Sequence, residues 1–248
     1  MRVSGHKVLV TGGSAGIGFA LARELRDRDN QVMICGRSAE RLAEAARQIP
    51  GVYTEPCDIA DDGDLKRLVD TAVAKLGGLT LLVNNAGIQF NHDFSRVDLE
   101  TLLRDTDLEI DVNLTALVKL TVLCLPLLRQ QDPSAVVNVS SGLALVPKPS
   151  APVYCATKAG VHMFSKSLRW QLEESASSVR VFEVLPPMVD TAMTRGRGKG
   201  KLSPKQVADE VVRGIERDRR EIRVGAVKML AWVNRFQPWL AERILRRT

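Results

Sequence analysis

The stretch Lys7-Val8-Leu9-Val10-Thr11-Gly12-Gly13-Ser14-Ala15-Gly16-Ile17-Gly18-Phe19-Ala20-Leu21-Ala22-Arg23-Glu24-Leu25 decides how the rest of the chain is read. It opens as a short apolar strand and closes as a run with apolar residues at helical spacing, with four glycines between. Lacking Cβ, glycines permit a tight strand-to-helix turn and let backbone approach a pyrophosphate, whose charge then meets free N–H groups at the positive end of a helix. The spacing Gly-x-x-x-Gly-x-Gly departs from the commoner Gly-x-Gly-x-x-Gly. Its placement between strand and helix is what gives it weight as a nucleotide seat.

Outward from that turn the same alternation continues. Strands are predicted at Lys7–Thr11, Gln31–Cys35, Gly51–Glu55, Leu79–Asn84, Ala135–Ser140, Val179–Leu185 and Glu221–Val224. Helices are predicted near 16–28, 38–48, 61–76, 98–130, 152–175, 203–218 and 225–246. This is the pattern of an α/β chain: a doubly wound parallel sheet of seven strands with helices on both faces, in a single domain over residues 1–248. The composition agrees, since 248 residues with 45% hydrophobic and 26% charged side chains suffice for one buried core. A mean hydropathy of -0.05 argues against both disorder and a membrane-embedded bundle.

The four cysteines, Cys35, Cys57, Cys124 and Cys155, form no CxxC pair and no zinc spacing. They read as buried hydrophobes in a reducing compartment, with no metal site. No signal-peptide core follows Met1–Lys7, so a cytoplasmic location is expected. Leu114–Leu128 is interrupted by Lys119 and Pro126 and is not expected to span a membrane. Residues 195–248 hold 15 basic and 6 acidic side chains, against a net charge of +6 for the whole chain. Without interleaved aromatics such a tail reads as a solvated face rather than a nucleic-acid site.

At the end of the second strand, Cys35-Gly36-Arg37-Ser38 carries no acid before Glu40. A guanidinium and a hydroxyl there suit the 2′-phosphate of NADP better than the free ribose of NAD. Asp58 is placed to meet an adenine amino group, and Asn84-Asn85-Ala86-Gly87 ends the fourth strand at the same sheet edge. Tyr154 and Lys158, four apart at a helix start, project from one face. A tyrosine of pKa near 10 is a poor base at neutrality, and a nearby ammonium is expected to lower it by about three units. Ser140-Ser141, ending the fifth strand, is expected beside Tyr154. Asn113 is a polar residue in an apolar helix, where its amide is either satisfied locally or kinks the helix and holds a water that feeds protons to Lys158.

Taken together, Thr11-Gly12-x-x-x-Gly16-Ile17-Gly18, Asn84-Asn85-Ala86-Gly87, Asn113, Ser141 and Tyr154-x-x-x-Lys158 resemble the short-chain dehydrogenase/reductase family over essentially the whole chain. The resemblance implies a Rossmann-type fold and an oxidoreductase that moves a hydride between NADP(H) and a carbonyl or secondary alcohol. By the same resemblance Tyr154 is the general acid/base and Ser141, at the family's offset of 13 from it, orients the carbonyl. Lys158 also binds the nicotinamide ribose, and Asn113 completes a proton relay. The implied cofactor set is Gly12, Ser14, Gly16, Ile17, Gly18, Arg37, Ser38, Asp58, Ile59, Asn85, Ala86, Gly87, Tyr154, Lys158, Pro186, Val189 and Thr191. A homodimer or homotetramer through the helices bearing Asn113 and Tyr154 is implied as well.

One departure stands out: Pro187 replaces the family's usual glycine after the sixth strand, which fixes φ and removes an N–H. This Pro-Pro-x-Val-Asp-Thr loop, the tract Arg195-Gly-Arg-Gly-Lys-Gly-Lys201 and Glu221-Ile-Arg-Val-Gly225 look like the bacterial subgroup of DltE-like oxidoreductases. The expected substrate loop runs near 188–203. Phe90, Leu143, Ala144, Leu145, Val146, Met188 and Met193 are its expected neighbours, favouring an apolar substrate. Arg195, Arg197, Lys199 and Lys201 are placed to close over an anionic group on substrate or cofactor, a role that solvated disorder of the loop rivals. His92 and His162 read as loop and packing residues. The helix at 225–246 is basic and amphipathic, with Trp232, Trp239, Arg235, Arg243, Arg246 and Arg247, and fits a neighbouring subunit, the cleft or an anionic membrane. The alternative function is an NADP(H)-loaded sensor or scaffold docking through that helix.

Overall fold

The computed structural model describes residues 1–198 and 200–246, so Lys199 and Arg247 lie outside the described residues. Its strands are β1 (Lys7–Thr11), β2 (Gln31–Gly36), β3 (Tyr53–Pro56), β4 (Leu81–Asn84), β5 (Ser134–Val139), β6 (Val179–Leu185) and β7 (Glu221–Arg223). They form one sheet in the order β3-β2-β1-β4-β5-β6-β7, every pairing parallel. The expected strands are all present. Gly51, at φ +78°, lies outside the extended region, so β3 starts after it.

Because side chains alternate along a strand, the sheet feeds two cores. Val8 and Val10 of β1 and Val32 and Ile34 of β2 face one side, where Leu21 and Leu25 of α1 (Gly16–Arg26), Leu42 of α2 (Ala39–Gln48) and Val211 of α7 (Pro204–Glu216) pack on them. Leu9 and Met33 face the other, under Leu68 of α3 (Asp62–Leu76), Leu120 of α5 (Ala116–Leu128) and Leu172 of α6 (Pro152–Glu174). This is the single Rossmann-like domain expected. Its chain reverses direction across the sheet between β1 and β4, which opens a crevice at their carboxyl ends.

The helix expected at 98–130 is a continuous rod: α4 (Leu99–Ile110), a π turn at Asp111–Thr115, then α5. By length and composition this rod would suffice to cross a membrane. Here Leu117, Leu120, Cys124 and Leu128 carry one face of it into the core. Asn113 sits in the middle of the π turn, so the expected kink takes the form of a widened turn.

The C-terminal helix differs from expectation. Residues 225–246 form two helices, α8 (Val227–Phe236) and α9 (Pro238–Leu245), broken at Gln237 with φ -141° and ψ 69°. Pro238 has no N–H to continue α8 and pushes the preceding residue out of the helical region, yet suits the first position of a new helix.

Candidate active site

The glycine turn is built as a cradle. A Cβ on Gly18 would stand 2.3 Å from the Gly12 carbonyl oxygen and 2.4 Å from Asn85 Nδ2, so only glycine lets α1 start this close to β1. The first turn of α1 holds no acidic residue, and Ala15 offers no side-chain cap, which leaves its N–H groups facing the crevice. Such a seat fits a pyrophosphate. Asn85 staples it to β4: its Nδ2 donates to Thr11 O at 2.9 Å, while the N–H groups of Asn85 and Ala86 both donate to Thr11 Oγ1 at 3.0 Å.

One cavity of about 880 Å³ runs from this seat across the carboxyl ends of the strands, and all of the expected cofactor residues but Gly18 line it. Gly18 acts one layer behind, through the packing just described. At the β2 end, Arg37 lines the wall as expected. Ser38 behaves differently: its Oγ accepts from Arg41 N at 3.2 Å as the cap of α2 and donates to Glu40 Oε2 at 2.7 Å, so its hydroxyl is already engaged. Arg41, one turn into α2, also lines this end and was not singled out by sequence. Four residues after Arg37, it is the position that the cap at Ser38 turns toward the crevice.

Asp58 Oδ1 accepts from Ala60 N at 3.1 Å, closing the turn after β3 beside the cavity. Thr191 lies against the seat, its Cγ2 3.1 Å from where a Gly16 Cβ would be. Beside Pro187, the carbonyl of Pro186 accepts from Gly142 N at 3.0 Å and ties the loop after β6 to the one after β5.

Ser141, Tyr154 and Lys158 come together on one wall. The Ser141 Oγ accepts from Leu143 N at 3.1 Å and shares this wall with the Tyr154 phenol. Lys158 is 3% exposed, its Nζ donating to Val139 O at 3.0 Å and standing 5.7 Å from the Tyr154 ring centre. Burial pushes the phenol up to about 12, with Ser141 pulling the other way. It also pushes the ammonium down to about 8, opposed by Glu109 and Glu183. The expected lowering of Tyr154 by Lys158 is therefore not a property of these side chains alone, where desolvation sets the direction.

Asn113 is fully buried, and its amide is held by the Ile88 backbone and by Thr157 Oγ1 at 3.2 Å. Its side-chain amide is thus engaged by the Ile88 segment and Thr157. The link to Lys158 is through Gly87, whose Cβ would lie 3.0 Å from Asn113 Oδ1 and 3.5 Å from Lys158 Nζ.

Two buried carboxylates escaped the sequence reading. Glu109, 2% exposed, accepts from Phe90 N at 3.1 Å, and burial pushes it up to about 7. Glu183, in the middle of β6, meets the Ser140 hydroxyl and His162 Nδ1 at 2.8 Å, which holds the imidazole above its ordinary pKa. Their signals were an acid four residues before Asn113 and an acid inside the apolar run Val179–Leu185. His92 pairs with Asp105 at 2.8 Å, away from the reacting wall.

Of the expected substrate lining, Leu143, Met188 and Met193 face the cavity, whereas Phe90, Ala144, Leu145 and Val146 do not. Val146 is in the core, and Phe90 stacks on His92 at 5.7 Å. In their place α8 and α9 supply Met229, Leu230, Val233, Ile244 and Leu245. The break at Pro238 folds α9 back so that both helices turn an inner face to the cleft, leaving Trp232, Phe236 and Trp239 outside.

The profile of the family described as short chain dehydrogenase matches residues 6–202. The chain belongs to that family. It is 46% identical over 211 residues to the uncharacterized oxidoreductase DltE of Bacillus subtilis strain 168, covering 85% of this chain and 82% of that protein. A short chain dehydrogenase from Burkholderia cenocepacia, solved with NADP, superposes with a TM-score of 0.87 at 26% identity over 99% of both chains. A second, from Burkholderia phymatum with NAD, gives 0.85 at 20% identity over 96% of each. The chain is an oxidoreductase of the short-chain family.

Proposed function

We propose that this oxidoreductase exchanges a hydride between NADP(H) and a carbonyl or secondary alcohol with apolar flanks. The observation that carries the reading is the placing of Ser141, Tyr154 and Lys158 on one wall of the cavity whose other end holds the uncapped glycine turn and the Arg37–Arg41 pair. NADP is supported by two guanidinium groups where a ribose-binding acid is lacking at the end of β2. It is also supported by the complex of the Burkholderia cenocepacia neighbour.

The residues divide the work as follows. The nicotinamide supplies or takes the hydride. Tyr154, kept neutral by burial, holds a proton to give to an oxygen as charge develops there, the form needed for reduction. Ser141, on the same wall as that phenol, fixes where the oxygen sits. Lys158, fixed through Val139 O, keeps positive charge under the phenol below about pH 8 and would hold the nicotinamide ribose of a bound cofactor. Asn113 is a positioning residue that holds the Gly87–Ile88 wall against Lys158.

The sensor or scaffold reading gains nothing comparable, because the groups for proton transfer are assembled. Leu99, Leu103, Ile110 and Val122 on the α4–α5 rod and Met163 and Trp170 on α6 are exposed, which supports a homo-oligomer through these helices. The four free, buried cysteines support the cytoplasmic reading.

Fluorescence titration with NADPH and NADH tests the cofactor, followed by a screen of apolar aldehydes and ketones with the cofactor that binds. Failure of both cofactors to bind in the micromolar range would remove this function.

A further inference from the structure

The substrate end of the cavity carries positive charge that no carboxylate among the described residues pairs with. Arg197, on the loop beyond β6, and Lys148, on the loop beyond β5, both line the cavity. Arg197 is aimed by neutral groups. Its Nη1 donates to Gln89 Oε1 at 3.1 Å. Asn91, with its amide oxygen turned toward the guanidinium, accepts from Nη1, Nη2 and Nε at 2.9, 3.1 and 3.3 Å.

Lys148 is half-buried, and its hydrogen bonds among the described residues are those of its backbone with the Cys155 thiol. Neither cation has a carboxylate at ion-pair distance among the described residues. Burial, and after it the charge of Arg197, holds the Lys148 ammonium below its ordinary value, so the two cations feel each other. Like charges gathered in a partly desolvated cleft raise the free energy until an anion joins them. The guanidinium offers a planar fork and the ammonium a point charge, together a good match for a carboxylate or phosphate. Arg37 and Arg41 are separate from this pair, at the β2 end beyond the glycine turn. The same cavity also presents the apolar side chains of Leu143, Met188 and Leu230.

We propose that Lys148 and Arg197 form an anion-binding subsite at the substrate end of the cavity, and that the substrate is an amphiphile with an apolar chain and a carboxylate or phosphate group. The substrate part of this statement rests on the oxidoreductase reading above, whereas the subsite stands without it.

Isothermal titration calorimetry of the full chain with octanoate, octyl phosphate and octan-1-ol tests it. Wild type is expected to bind at least one of the two anions about tenfold or more tighter than the alcohol, a difference of about 1.4 kcal/mol. That preference should shrink as salt is raised and close to within about twofold in the Lys148→Gln/Arg197→Gln double variant. Neither anion binding tighter than the alcohol in wild type would overturn the subsite, as would a preference that ignores both salt and the two substitutions. The anion with the larger gain names the group. NADPH titration of the same preparation separates the two readings: cofactor binding without an anion preference sinks the subsite alone, and the reverse result sinks the oxidoreductase reading alone.

Discussion

The side-chain amide of Asn113 takes both polar groups of the Ile88 backbone, its Oδ1 accepting from the N–H at 2.8 Å and its Nδ2 donating to the carbonyl at 2.9 Å. One side chain thereby locks the π turn of the long helical rod to the segment that leaves β4. Removing it by Asn113→Ala leaves both groups without partners, at about 1–3 kcal/mol for each group that stays dry. A loss of about 2 kcal/mol in urea unfolding is expected, with a fall in turnover. Unchanged stability would show that the lock is not needed.

Tyr154→Phe removes only the phenolic hydroxyl from the wall it shares with Ser141. General acid catalysis contributes roughly 10²–10⁴-fold, so turnover should fall by about that factor while the melting temperature and the NADPH affinity stay near wild type. Turnover within a few-fold of wild type would exclude Tyr154 as the proton donor.

Arg37→Ala tests the phosphate end. A charge-assisted hydrogen bond is worth about 1.5–3 kcal/mol, so NADPH affinity should drop by at least about tenfold while NADH affinity moves little. Equal weakening of both would place Arg37 outside the 2′-phosphate contact.

Glu109 is held up at about 7 by burial, against an ordinary 4.5. Between those two pH values the folded chain keeps a proton that the unfolded chain releases, so this group's contribution to stability falls as pH rises through 7. Glu109→Gln keeps an oxygen for the Phe90 N–H and cannot ionise. It is expected to raise the melting temperature at pH 8.5 more than at pH 5.5, as read by calorimetry, and an equal effect at both would mean the carboxyl does not titrate there.

Gly18→Ala would drive a Cβ into the Gly12 carbonyl and the Asn85 amide. The clash is with backbone and with a stapled side chain, neither of which swings away. Thermal melts should show a destabilised protein, with NADPH bound more weakly because the seat is displaced. Wild-type behaviour would mean that α1 can slide on β1.

Most of this was legible in the sequence because its signals are local. The strand-turn-helix at Lys7–Leu25, the alternating apolar runs and the i, i+4 spacing of Tyr154 and Lys158 all report on neighbours in the chain. What was not legible depends on burial and distant contacts. Nothing near Ser38 announces that Glu40 holds its hydroxyl, and the pKa of Tyr154 is set by how much water the wall excludes rather than by its spacing from Lys158. Arg41 and the inner faces of α8 and α9 became site residues only through the way separate elements meet. The break at Pro238 was readable, since the rule for the residue before proline applies there, but amphipathic spacing across residues 225–246 masked it.

The two ends of the cavity come from different parts of the chain. The dinucleotide seat and its stapling residues lie within residues 11–87, whereas Pro186 onward, with α8 and α9, roofs the opposite end. This part meets the seat where Thr191 abuts Gly16 and where α7 packs on α1. Recombination between related chains at the end of β6 would therefore graft one substrate pocket onto another's cofactor engine, with Thr191 and the α1–α7 packing as the joints to preserve.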